Sequence, residues 1–178
     1  FNAGVDSNGA SEGSLVFNGP DGFSVTFTDD ESDGSEGGQA NGVHVTNEDH
    51  GNVKDGSSTD FVLGAFNGLL DGDNYHSSGI VATFNRGAFS VTIDDTDDDA
   101  TTKILFAFDQ NGNLIGQTLP ASQTTITIDG SLTGGQLIHG VEFDTAFGAA
   151  GGSTDGTVFT LDNFHAVFEQ APEPPNNP

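Results

Sequence analysis

The chain has no cysteine, no methionine and no tryptophan, one tyrosine, and only 3 basic residues against 27 acidic ones. Without cysteine there are no disulfide staples and no thiolate metal sites. Without clustered Lys and Arg there is nothing to displace counterions from a phosphate backbone, so nucleic acid is excluded as a partner. An anionic membrane surface is excluded for the same reason. No apolar run approaches the length of a membrane span, and membrane insertion is not expected. One Tyr and no Trp also disfavour the flat aromatic platforms that grip crystalline polysaccharides.

What remains is acidic, small and turn-prone. The formal charge is −24, and 26 of the 178 residues are Gly. Asp, Asn, Ser and Gly close turns or tolerate positive φ, which suits many short strands better than helices. A compact domain with this charge repels itself unless something neutralises it, because Lys54, Arg86 and Lys103 are the only basic side chains. Fifteen Phe in alternating patterns argue against disorder. Bound Ca²⁺ is the economical counter-charge, since hard oxygen ligands are what the sequence has in excess. External calcium is abundant, so an extracellular setting is expected.

Apolar residues recur with a period of two between turn signals. The runs are Phe23–Phe27, Val43–Val45, Phe61–Phe66, Ile80–Phe84, Phe89–Ile93, Ile104–Phe108, Asn113–Leu119, Thr124–Ile128, Leu137–Phe143 and Val158–Phe168. About ten strands and no helix predict an all-β, antiparallel β-sandwich of jelly-roll type. Phe159 and Leu161 are odd-numbered, whereas Phe164, Ala166 and Phe168 are even. One face can hold both sets only if a bulge falls near Asp162-Asn163. Residues 1–170 are expected to form a single ligand-binding domain, and the Pro-rich segment 171–178 an extended linker. That tail, and a first residue that is not Met, predict a monomeric module within a larger chain.

Candidate sites follow the carboxylates. Asp94, Asp95, Asp97, Asp98 and Asp99 place five carboxylates in six residues at a strand end. Such crowding is relieved by a cation, the plainer alternative being a solvated acidic loop. Asp71 and Asp73, with Asn74, form a second oxygen-rich loop that also carries Tyr75 and His76, the expected ligand-binding residues. Asp29 to Asp33 reads as a mobile loop. Asp109-Gln110-Asn111-Gly112-Asn113 mimics the opening of an EF-hand loop, but Leu114 and Pro120 stand where Gly and Glu are required. A hairpin turn is expected there. His139 alternates with Leu137, Val141 and Phe143, which predicts a core-facing histidine. No G-x-S-x-G motif is present, and a lyase would need cationic groups, so the chain is not expected to be an enzyme.

Two stretches carry a resemblance. Phe159-Thr160-Leu161-Asp162-Asn163-Phe164 resembles the closing strand of jelly-roll carbohydrate-binding modules, which implies that Asp162 holds a structural calcium, with partners among Asp6, Asn8 and Glu12. Phe89 to Gly116 resembles lectin-like ligand-binding domains of repeats-in-toxin adhesins of marine bacteria. This implies a bacterial cell-surface module that binds a peptide or glycan ligand in cell adhesion and biofilms. The alternatives are a calcium-rigidified spacer and a carbohydrate-binding module of a secreted hydrolase.

Overall fold

A computed structural model describes residues 14–19, 22–29, 42–46, 62–66, 79–95, 102–122, 124–144 and 159–169. These hold ten strands: β1 (Ser14–Asn18), β2 (Ser24–Asp29), β3 (Gly42–Thr46), β4 (Val62–Phe66), β5 (Ile80–Asp95), β6 (Ile104–Phe108), β7 (Leu114–Gln117), β8 (Thr125–Asp129), β9 (Ile138–Asp144) and β10 (Phe159–Phe168). Every pairing among them is antiparallel. The all-β expectation holds, and no α-helix occurs among the described residues. None of these residues forms a helix long and apolar enough to cross a membrane.

The predicted strands Ile80–Phe84 and Phe89–Ile93 are one continuous strand of 16 residues. Its first half pairs with β2 on one side and β9 on the other, through Ile80 to Thr83. Its second half pairs instead with β10 and β8, from Ser90 to Asp94. Two layers share this strand. One runs β1-β2-β5-β9-β6-β7, and the other β3-β4-β10-β5-β8. They face each other: Phe164 of β10 meets Phe27 of β2 at 5.1 Å between ring centroids, edge to face. Phe168 likewise lies 5.6 Å from Phe84. Such pairs add to burial energy through quadrupole geometry.

Register explains the core. Phe27 opposes Leu15 and Ala82, and Ala82 opposes Val141. Leu105 opposes Phe143. In the second layer Val91 opposes Ile128 and Ile93 opposes Ile126. All these residues except the partly buried Leu15 are buried. Full burial of a side chain such as Phe27 contributes roughly 1.5–3 kcal/mol. β1 was not anticipated, because Ser14–Asn18 holds only a short apolar run beside a Gly-rich stretch.

β5 changes layers at Asn85-Arg86-Gly87. Asn85 Oδ1 accepts the Ser24 amide at 2.9 Å, and its Nδ2 donates to the Gly22 carbonyl at 2.8 Å. The Arg86 guanidinium lies 6.0 Å from the Phe23 ring centroid, within cation–π range. The Gly87 carbonyl accepts the Glu169 amide at 2.9 Å. A Cβ on Gly87 would fall 2.8 Å from Leu137 Cβ and 3.2 Å from His139 Nε2. Only a residue without a side chain lets β9 close on the bend. His139 is accordingly half-buried beside the bend.

Beyond the bend a second irregularity separates Val167, opposite Ser90, from Phe168, opposite Ala88. Phe89 is the extra residue, and it is 52% exposed although its alternation with Val91 and Ile93 predicted an inward face. Gly87→Ala is expected to lower stability by about 1–3 kcal/mol through overpacking. Urea unfolding would show this as a lower midpoint at constant m-value, and an unchanged midpoint would mean that the bend is loosely packed.

Candidate functional site

The outward face of the second layer carries two of the three described candidate residues, Asp94 and Asp162. Asp94 stands directly opposite Asp162 on β10 and opposite Thr125 on β8. Cross-strand partners share a face with Cβ atoms roughly 4.5–5.5 Å apart, and like charges so placed are destabilising. Two neighbouring donors offset this. Thr125 Oγ1 donates to Asp94 Oδ1 at 2.6 Å, and Asn163 Nδ2 donates to Asp94 Oδ2 at 2.8 Å.

Asn163 reaches Asp94 because the register shifts between Asp162 and His165. The expected bulge is present. Asn163 adopts φ 48°, the left-handed region that Asn tolerates better than most residues. The irregularity brings Leu161 and Phe164 onto the same inward side, with Leu161 buried and Phe164 packed on the core. Asp162 and Asn163 are left on the outside, half-buried and exposed respectively.

Below the carboxylates the face is hydroxylated. Thr92 and Thr127 are opposed, with their Oγ1 atoms 2.9 Å apart, and His165 flanks Thr92. The next row holds Ser90, Asp129 and Val167. The Asp129 carboxylate is turned onto the following loop, accepting the Ser131 amide at 2.8 Å and the Ser131 hydroxyl at 2.6 Å. The Ser131 hydroxyl, and then its amide, hold this carboxyl below its ordinary range.

Asp95 lies on the other face. It opposes Leu161, and its side chain enters the core, where Oδ1 is 3.7 Å from Lys103 Nζ with both side chains fully buried. Alternation along β5 thus separates Asp94 from Asp95: the first faces outward and the second inward. Of the predicted metal residues, Asp94 and Asp162 are brought together. Asp97, Asp98, Asp99, Asp71, Asp73, Asn74, Tyr75 and His76 lie outside the described residues, as do Asp6, Asn8 and Glu12. Among the described residues no group of three or more His, Asp or Glu converges as a metal cluster.

The EF-hand-like segment is a turn joining β6 to β7, as expected. Asp109 Oδ1 accepts the amides of Asn111 and Asn113, and Oδ2 accepts Asn113 Nδ2 at 2.9 Å. Gly112 supplies the positive φ of 78° that the tight reversal requires. The carboxylate serves the turn itself.

Thr125 and Asn163 escaped the sequence reading as partners of Asp94. Asn163 had a signal, the switch from odd to even apolar positions, which marks where a side chain is re-aimed. Thr125 had none, because its pairing across β5 depends on register. Lys103 was visible as one of three cations, but not as buried.

The sequence matches no protein-family model and no curated protein. Among solved structures it is similar to a carbohydrate-binding module, described as GH31 CBM32-2 bound to GalNAc. The identity is 12% over 83% of this chain and 99% of that one, with a TM-score of 0.45. It is also similar to a DUF4465 family protein from Bacteroides caccae, at 14% identity over 95% of this chain and 91% of that one, with a TM-score of 0.42. Neither likeness bears on the ligand.

The Asp109 carboxyl is held at about 2 instead of the ordinary 3.8, first by the Asn113 side chain and then by the Asn113 amide. A depressed folded-state value stabilises the fold above the ordinary value, and that contribution is lost as pH falls through about 2. A carbon-detected NMR titration should find the Asp109 midpoint near the lower value, and Asp109→Asn should remove this part of the acid dependence. A midpoint at the ordinary value would mean that the turn is open in solution.

Proposed function

We propose that this domain is a non-catalytic, calcium-dependent ligand-binding module of an extracellular bacterial adhesin, recognising peptide termini or glycans. The observation that carries the reading is the Asp94–Asp162 pair. Two carboxylates stand side by side on an outward face, where the chain enters the Asp97–Asp99 run, in a molecule of formal charge −24. Each Asp94 oxygen has one protein donor and keeps a lone pair for a cation.

Hard carboxylate, hydroxyl and amide oxygens suit Ca²⁺ at roughly 2.3–2.6 Å. A bound ion with open coordination positions can take a peptide carboxylate or vicinal sugar hydroxyls, which an acidic surface alone would not attract. The Asn74–Tyr75–His76 loop is the proposed second contact. The module is proposed to act as a monomer in a longer chain, without nucleic-acid or membrane partners. A carbohydrate-binding module of a secreted hydrolase would use the same site, and its neighbouring domains would distinguish it.

A second reading, a spacer rigidified by calcium, is favoured by the two protein donors that already occupy Asp94. A spacer coordinates its ions fully, whereas a binder leaves one exposed.

Calcium is expected to raise the melting temperature and a chelator to lower it, because binding to the folded state alone is stabilising. Asp94→Asn and Asp162→Asn should each weaken calcium binding at least about tenfold, ~1.4 kcal/mol, by titration calorimetry. A melting temperature indifferent to chelator would remove the central claim. Glycan and peptide arrays in calcium should then give binding that these variants lose; calcium-dependent stability without any binding would favour the spacer.

A further inference from the structure

Lys103 and Asp95 form a buried ion pair that the proposed ligand site does not use. Among the described residues, Lys103 and Arg86 are the only Lys or Arg. Lys103 lies just ahead of β6 in the first layer, and Asp95 ends β5 in the second. Their side chains meet across the gap between the layers, with Nζ 3.7 Å from Oδ1 and neither reached by solvent.

Both backbones are held in place. Lys103 exchanges two hydrogen bonds with Ala121, at 2.6 and 2.9 Å, and the Asp95 amide donates to Thr124 at 3.1 Å. Holding an amine and a carboxylate in contact, in a dry site, removes much of the entropic barrier to their reaction.

We propose that Lys103 and Asp95 condense within the folded chain to an amide that ties the two layers together. The step balances without an oxidant or co-reactant. A proton passes from Nζ to the Asp95 carboxylate, and the neutral Nζ attacks Cγ to form the N–C bond. The Cγ–O bond then breaks with proton transfer to the leaving oxygen, and one water is released. Two buried charges are replaced by one neutral amide. In a chain without cysteine this supplies a covalent tie that a disulfide cannot.

Mass spectrometry of the purified, denatured chain tests the proposal. The folded protein, after incubation, is expected to be lighter than its sequence by the mass of one water. Lys103→Arg and Asp95→Asn are expected to lack that loss. A cyclic imide elsewhere would also remove one water, but it would persist in Lys103→Arg. Trypsin applied to the denatured protein provides a readout that does not depend on whether a variant folds. Cleavage is expected after Lys54 and Arg86 but not after Lys103, and fragmentation should place the link between positions 95 and 103. A wild-type chain of full sequence mass, cut after Lys103, overturns the proposal and leaves an ordinary buried ion pair. Loss of water retained in Lys103→Arg overturns it as well.

Discussion

The fold depends on one strand serving two sheets. Ile80–Thr83 must satisfy its backbone against β2 and β9, while Ser90–Asp94 must do so against β10 and β8. A regular strand with the same partners throughout could not do this. The change takes place over three residues, and each contributes differently. Asn85 ties the bend to the β1–β2 turn, Arg86 covers Phe23, and Gly87 leaves room for Leu137. Because the layers are covalently continuous at this point, their aromatic faces are brought into register by the same segment that starts the outward carboxylate row.

Electrostatics divides along the same strand. Consecutive aspartates at its end meet opposite fates, because side chains alternate across a sheet. Asp95 is taken into the core and matched with Lys103, an arrangement that is costly unless the partner is held close. Asp94 stays outside, opposed by another carboxylate and steadied by a hydroxyl and an amide. Two adjacent aspartates that look alike in sequence are thus given one structural and one outward-facing role. Two further acidic side chains, Glu142 and Asp144 of β9, are also buried.

The architecture was legible because its signals are local. Alternation at Val25–Phe27, Val91–Ile93 and Ile126–Ile128 marked the inward faces. The parity switch around Asp162 marked the bulge, and Asn111-Gly112 marked a hairpin. The expected total of about ten equals the ten strands among the described residues for a mixed reason. Two predicted strands fused into β5, and β1 had not been anticipated. What was illegible depends on register. Nothing local to Thr125 says that it will lie beside Asp94, and nothing around Lys103 says that a lysine will be buried. Phe89 shows the same limit, because its alternation was correct for a flat ladder and failed at an inserted residue.

The left-handed Asn163 makes β10 two half-strands of opposite phase joined end to end. Its place is therefore recorded in the hydrophobic rhythm itself, independent of which apolar residues occupy each side. A chain that kept the extra residue would show the same half-period slip even if Asn and Asp were both replaced. Removing that single residue would merge the two halves into one regular alternation, with Phe159, Leu161, Phe164, Ala166 and Phe168 all in the same phase. The slip is thus a landmark for aligning this strand where side-chain identity has faded.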